Sequence, residues 1–170
     1  DIDQVLYPHD PDRARQLLEE ADATDLQLDM IVGAGLTQFV QLAEIIQAQW
    51  ADVGVDLTVR QGDPAPSADI MFTQQAADSS LSGASGRPDP SQYLYGRMRG
   101  DSFGNPGGHT TPRMEELITA SITETDPAAR QDILRAASRE VAESLLEINV
   151  VIPQIPYAMR SNASFTPYLT

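Results

Sequence analysis

Cysteine is absent from these 170 residues. That excludes a disulfide framework, a thiolate metal site and a cysteine nucleophile. Histidine is almost absent, with only His9 and His109, and the two do not form a metal-ligand pattern. The single tryptophan, Trp50, falls on the apolar stripe of a predicted helix, where core packing is its expected role. Basic residues are few: 11 Lys and Arg stand against 25 Asp and Glu, a net charge of −14. Such a chain repels nucleic-acid phosphates and anionic lipid, so no nucleic-acid partner is expected. The excess charge reads first as solubility, with a cation-attracting surface as the alternative. No apolar run is long enough to span a membrane. The N-terminus carries neither a signal-peptide pattern nor a starting methionine, so the expectation is an internal piece of a longer polypeptide or a processed chain.

The patterning that is present is that of an α/β domain. Asp10-Pro11 starts a helix in which Ala14, Leu17, Leu18 and Ala21 share a face. Leu26, Leu28, Met30 and Val32 alternate with polar residues as in a half-buried strand. A long amphipathic helix follows, with Phe39, Leu42, Ala43, Ile46, Trp50 and Val53 inward and Gly54 as its stop. Val55, Leu57 and Val59 then alternate as a second strand. Strand, helix and strand over so short a span predict a right-handed βαβ unit with parallel strands.

Ala68–Thr73 reads as a third, more buried strand. Residues 74–112 are rich in Ser, Gly, Pro and Asp, with a short helix around Tyr93–Tyr95, and so irregular a stretch is more often functional than idle. Two helices follow: Met114, Leu117, Ile118 and Ile122 mark one, and Asp126-Pro127 starts the other, with Ile133, Leu134, Ala137, Val141 and Leu145 inside. Ile148–Ile152 reads as a closing strand, stopped by Pro153 and Pro156.

Two apparent catalytic motifs fail on spacing. Gly33-Ala34-Gly35 sits where a dinucleotide fingerprint begins, but Gln38 occupies the place of its third glycine, which leaves a plain strand-to-helix turn. Gly83-Ala84-Ser85-Gly86 resembles a nucleophile elbow, but Arg87 stands where its closing glycine belongs. No Ser-His-Asp convergence of Ser85 with His9 or His109 is expected. The most informative local feature is Arg87-Pro88-Asp89-Pro90, in which two prolines fix the backbone beside a predicted helix start. Asp89 there reads as a helix cap, which leaves a ligand role open for Arg87.

Several pieces, in order, resemble the bacterial extracellular solute-binding protein family 5 of dipeptide-, oligopeptide- and nickel-binding proteins. They are Tyr7 through Ala21 with its Leu17-Leu18 pair, Gln41 through Gly54, Ala68-Asp69-Ile70, Asp89-Pro90, Asn105, Pro112, Leu117-Ile118, Thr125-Asp126-Pro127 with Arg130, and Ile152-Pro153. The resemblance implies a periplasmic-binding-protein-like α/β lobe with a mixed, mostly parallel sheet flanked by helices. It implies that residues 1–170 form a single lobe, the second of two that close on a solute, with the N-terminal lobe lying elsewhere in the polypeptide.

The implied role is the substrate-binding component of an ABC importer. It captures a peptide-like or other small solute outside the cytoplasmic membrane, either periplasmic or lipid-anchored, for a membrane permease. No catalysis, cofactor or metal is implied. Within that frame Gln74, Gln75, Arg87 and Asp89 are the candidate ligand-binding residues: the glutamines can donate and accept hydrogen bonds, and Arg87 can pair with a carboxylate. The chain departs from the family pattern at Gly86, where peptide-binding members carry an aspartate. It departs again in the small, polar stretch Ser79–Ser85, where they often carry a tryptophan, and at His109 and Thr111, in place of tyrosine and asparagine. These departures make room for an alternative, a non-transport envelope lipoprotein of the same fold that binds a partner and modulates cell-wall or lipoglycan assembly.

Overall fold

The computed structural model of the chain describes residues 7–33, 37–84, 87–151 and 160. It divides into two compact units, Asp1–Ala84 with Gly100–His109, and Ser85–Arg99 with Thr110–Thr170.

The first unit is the expected βαβ element with a third strand added. Helix α1 (Pro11–Glu20) is capped by Asp10, whose carboxylate accepts from the Arg13 amide at 2.9 Å. Strand β1 (Gln27–Gly33) runs parallel to β2 (Asp56–Gly62), with Gln27 opposite Asp56 and Gly33 opposite Gly62. Helix α2 (Thr37–Ala51) makes the crossover. Beyond it the chain turns through Gly54 at φ +94°, a conformation that a side chain would strain.

The two-residue period of the strands puts Leu28, Met30 and Val32 on the same face as Leu57 and Val59. That face packs against Phe39, Val40, Ala43, Ile46 and Trp50 of α2, so the expected core role of Trp50 is borne out. Gln47, on the same helix, donates to the Leu57 carbonyl.

Two strand expectations are corrected. Ala68–Thr73 is helical, with helix α3 (Pro64–Ala68) running into a π-helical segment at Asp69–Thr73. Pro64 and Pro66 favour a helical first turn, and the short apolar run Ile70-Met71-Phe72 fits a helix as well as a strand. The third strand is instead the polar β3 (Ser79–Leu81), which adds parallel to β1 to give the order β2-β1-β3. Residues Ile148–Val151 form no strand, and Ile148 and Val151 are exposed. Ile152 lies outside the described residues.

The second unit is helical in its described part. It comprises α4 (Pro90–Arg97), α5 (Pro112–Thr123) and α6 (Pro127–Glu143). Each starts with proline behind a capping side chain, Asp89, Thr111 and Asp126 respectively. Thr111 stands where the family resemblance places asparagine, and it keeps the capping chemistry by accepting from the Met114 amide at 3.0 Å. Met114, Leu117, Ile118 and Ser121 line the buried face of α5 at helical spacing and pack with Leu94, Met98 and Ala137. Leu145, expected inside the last helix, lies beyond its end at φ +51°.

Tyr93 of α4 ties that helix to the segment after α6, donating to Glu147 at 2.5 Å. Burial first, and the Glu147 carboxylate second, push the Tyr93 hydroxyl up to about 12, from an ordinary 10.0. The folded state therefore holds this proton longer than the unfolded chain. The stabilisation is complete below pH 10 and is lost as pH rises from there through about 12. Tyr93→Phe is expected to abolish that alkaline dependence. The stability gap between wild type and variant stays constant below pH 10 and narrows above it, as urea midpoints at a series of pH values will read.

Candidate functional site

The Arg87–Pro90 turn is held from below by one guanidinium. Asp89 Oδ1 accepts from the Ser91 amide at 2.9 Å, the Ser91 hydroxyl at 2.7 Å and Arg130 Nη2 at 2.5 Å. The same Arg130 nitrogen donates to the Ser91 hydroxyl at 2.8 Å, and its Nε donates to the Ser121 carbonyl at 2.8 Å. One side chain near the start of α6 thus bridges the cap of α4 and the last turns of α5. Ser91 and Ser121 are buried, so their polar atoms need these partners. The Ser91 hydroxyl and then Arg130 hold the Asp89 carboxyl down at about 2, well below the ordinary 3.8.

Of the predicted site residues in this unit, Asp89 caps its helix as expected. All its bonds converge on Oδ1, and Oδ2 has no hydrogen bond among the described residues. Arg87 is exposed and makes no ion pair among the described residues. Arg130 appears in the sequence only as a landmark of its own helix. Its partner lies 41 residues away, and no periodicity connects the two.

The other predicted residues belong to the first unit. Gln74 closes the π-helical segment, and its amide donates to the Asp69 carboxylate. Gln75 adopts φ +51°, uncommon for a residue with a side chain, and its amide donates to the Pro106 carbonyl at 2.5 Å.

Beside Gln75 lies an open concavity of about 500 Å³, lined among others by Phe72, Asp101, Phe103 and Asn105. Phe103 is 73% exposed and stacks on Phe72 with ring centroids 5.6 Å apart and planes tilted 32°. Asn105 shapes the rim: its amide donates to the His109 carbonyl at 2.8 Å, and its oxygen accepts from the His109 amide at 3.2 Å. The volume is in the range of small-molecule sites, but the wall is one-sided. The sequence flagged Gln75 and Asn105 but missed the Phe72–Phe103 pair, since two phenylalanines 31 positions apart carry no joint signal.

Among the described residues no group of three or more His, Asp and Glu side chains could hold a metal ion. Ser85, with residues 34–36 of the glycine turn, lies outside the described residues. No described helix is long and apolar enough to cross a membrane.

Comparison with known proteins gives this arrangement a context. The chain is 26% identical over 159 residues to the di/tripeptide-binding protein 4 of Pseudomonas aeruginosa (strain UCBPP-PA14), covering 88% of the chain and 29% of that protein. It is 29% identical over 143 residues to the heme-binding protein A of Haemophilus influenzae, covering 77% of the chain and 25% of that protein. The chain thus spans under a third of the length of these curated relatives. The fold is shared with the ABC transporter substrate-binding protein CtaP from Listeria monocytogenes, with a TM-score of 0.73 at 21% identity over 81% of the chain and 28% of that structure. Residues 1–105, more than half of the chain, match the model of the bacterial extracellular solute-binding proteins, family 5 Middle. With the parallel sheet and helices of these binding proteins and more than half its length matching their family model, the chain belongs to the bacterial extracellular solute-binding proteins of family 5.

Proposed function

We propose that this chain is part of the substrate-binding component of an ABC importer, which captures a peptide-like or other small solute outside the cytoplasmic membrane and delivers it to the permease. The observation that carries this reading is the family 5 match over residues 1–105. The geometry agrees with it. A concavity open on one side leaves a solute half hydrated, and a second wall from another lobe of the same polypeptide completes its burial on closure. No chemical step on the solute is proposed.

Gln75, on the wall of the concavity, supplies hydrogen bonds, and Gln74 beside it in the chain is proposed to do the same. Arg87 is proposed separately, as a cation for a carboxylate. Asp89 fixes the backbone around Arg87 and keeps Oδ2 as an acceptor. The glycines at 83 and 86, in place of the family's bulky and acidic anchors, favour a second reading, a non-transport envelope lipoprotein that binds a partner.

Titration calorimetry of the full-length protein with defined di- and tripeptides tests the proposal. Arg87→Ala is expected to weaken binding about tenfold to hundredfold, the loss of one charge-assisted hydrogen bond. The 170-residue chain alone is expected to bind about ten- to a thousandfold more weakly than the full-length protein, since roughly three hydrogen bonds disappear with the second wall. Equal affinities in the two sink the two-wall account. Absence of any peptide binding by the full-length protein favours the second reading.

A further inference from the structure

Gln75 sits in a backbone conformation that needs support from its surroundings. The strand that follows it cannot give much. β3 is three residues long, and its ladder with β1 covers only Met30–Val32. Side chains do the holding instead, and they come from β1 and β2.

The register places Arg60 opposite Ile31, and therefore on the same sheet face as Asp29. Arg60 Nη2 meets Asp29 Oδ2 at 2.5 Å and also donates to the carbonyl of Ala76, the residue after Gln75. Asp29 and Asp78 then bind each other reciprocally. The Asp29 amide donates to Asp78 Oδ2 at 2.8 Å, and the Asp78 amide donates to Asp29 Oδ1 at 3.0 Å. The Ser79 hydroxyl adds a bond to the Asp29 carbonyl at 3.1 Å. Both carboxylate oxygens of Asp29 are thereby engaged, one by the cation and one by the incoming backbone.

Arg60 Nε, meanwhile, is buried with no hydrogen-bond partner among the described residues. An unsatisfied buried donor is uncommon and calls for a compensating role. Here the guanidinium gives up that bond and spans from Asp29 to the Ala76 carbonyl.

We infer that Arg60 and Asp29 are positioning residues that fix the Gln75–Asp78 backbone, and with it the Gln75 wall of the concavity. The inference rests on the proposed function for its link to a solute. Its structural half stands without it.

Hydrogen exchange on the full chain, read separately for 74–81, for β1 and for α5, decides the structural half. Arg60→Ala is expected to speed exchange over 76–81 by about tenfold or more, while α5 stays within about twofold, because local opening is governed by local bonds. Arg60→Lys is the discriminating variant. A lysine restores the charge beside Asp29 but not the two-acceptor span, since its ammonium is a single point on a flexible stem. Protection of β1 is therefore expected to match the wild type while 76–81 stays fast. Full recovery over 76–81 in Arg60→Lys, or equal acceleration across β1 and 76–81 in Arg60→Ala, overturns the inference.

Calorimetry with dialanine as the probe supplies the other arm. If the full-length wild type binds it, Arg60→Lys is expected to bind about tenfold more weakly at unchanged melting temperature, and equal affinities overturn the inference. If the wild type does not bind dialanine, the exchange pattern alone decides the positioning role.

Discussion

Replacing Ile118 by alanine is expected to destabilise the helical unit by about 2–5 kcal/mol, the cost of a large-to-small change in a close-packed core. Ile118 is 1% exposed and packs in the cluster of Leu94, Met98, Met114, Leu117 and Ala137. The neighbours that would have to collapse into the gap come from three helices, so relaxation is limited. The loss is a large part of the roughly 5–15 kcal/mol that holds an ordinary domain folded. Ile122, one turn further along the same helix, is 54% exposed. Ile122→Ala is expected to change stability by only about 0.5 kcal/mol or less, as surface substitutions do. Urea unfolding of the two variants side by side separates burial from helix propensity. A loss in Ile118→Ala no greater than in Ile122→Ala contradicts the packing of α5 described above.

The second large effect is expected at Asp89. Its carboxyl is held at about 2 by the Ser91 hydroxyl, by Arg130 and by the Ser91 amide, in that order. The folded value is depressed, so the stabilisation is present above the ordinary value of 3.8 and is lost as pH falls from there through about 2. Either Ser91→Ala or Arg130→Gln is expected to raise the Asp89 value toward 3.8 and to flatten this part of the acid-unfolding curve. Carbon-detected NMR titration of the Asp89 carboxyl reads the first effect directly.

Arg130→Gln should do more than Ser91→Ala to the Arg87–Pro90 turn, because Arg130 also holds the Ser121 carbonyl and thereby links the turn to α5. The expected sign is faster amide exchange at Ser91 and Gln92 in Arg130→Gln. An Asp89 value still near 2 in that variant would show that Ser91 alone sets it.

Thr111, where the resemblance implies an asparagine, caps α5 through its hydroxyl, and that hydroxyl also donates to Glu140 at 2.6 Å. His109 stands where the resemblance implies a tyrosine, and it is the backbone of His109 that closes the Asn105 turn. In both cases the local geometry depends on hydrogen-bonding groups that the replacement retains. Gly83 is different. An added Cβ there would come within 3.3 Å of the Phe39 ring, so a bulky anchor at this position needs Phe39 to move.

Local and periodic information was enough for much of the fold. Alternation with a period of two placed β1 and β2, and one-sided apolar spacing placed α2, α5 and α6. Asp-Pro pairs marked the starts of α1, α4 and α6, because capping is a bond between residues two or three apart and so is written within a few letters. The parallel pairing of β1 and β2 followed from the crossover rule.

What tertiary structure decided is what depends on residues far apart in the chain. Ile70-Met71-Phe72 became helical, while the polar Ser79-Ser80-Leu81 became a strand. Both outcomes turn on what each segment packs or pairs with, not on its own composition. The closing apolar segment at Ile148–Val151 has strand character but no partner strand among the described residues, and pairing is what makes a strand. At the site, the sequence and its family resemblance selected Gln74, Gln75, Arg87 and Asp89 as polar groups on irregular backbone. Only the folded chain brought Arg130 under Asp89, Phe103 onto Phe72 and Arg60 across to Ala76. Side chains reach one another through space, and no short-range pattern in the letters encodes a contact between positions 41, 31 or 16 residues apart.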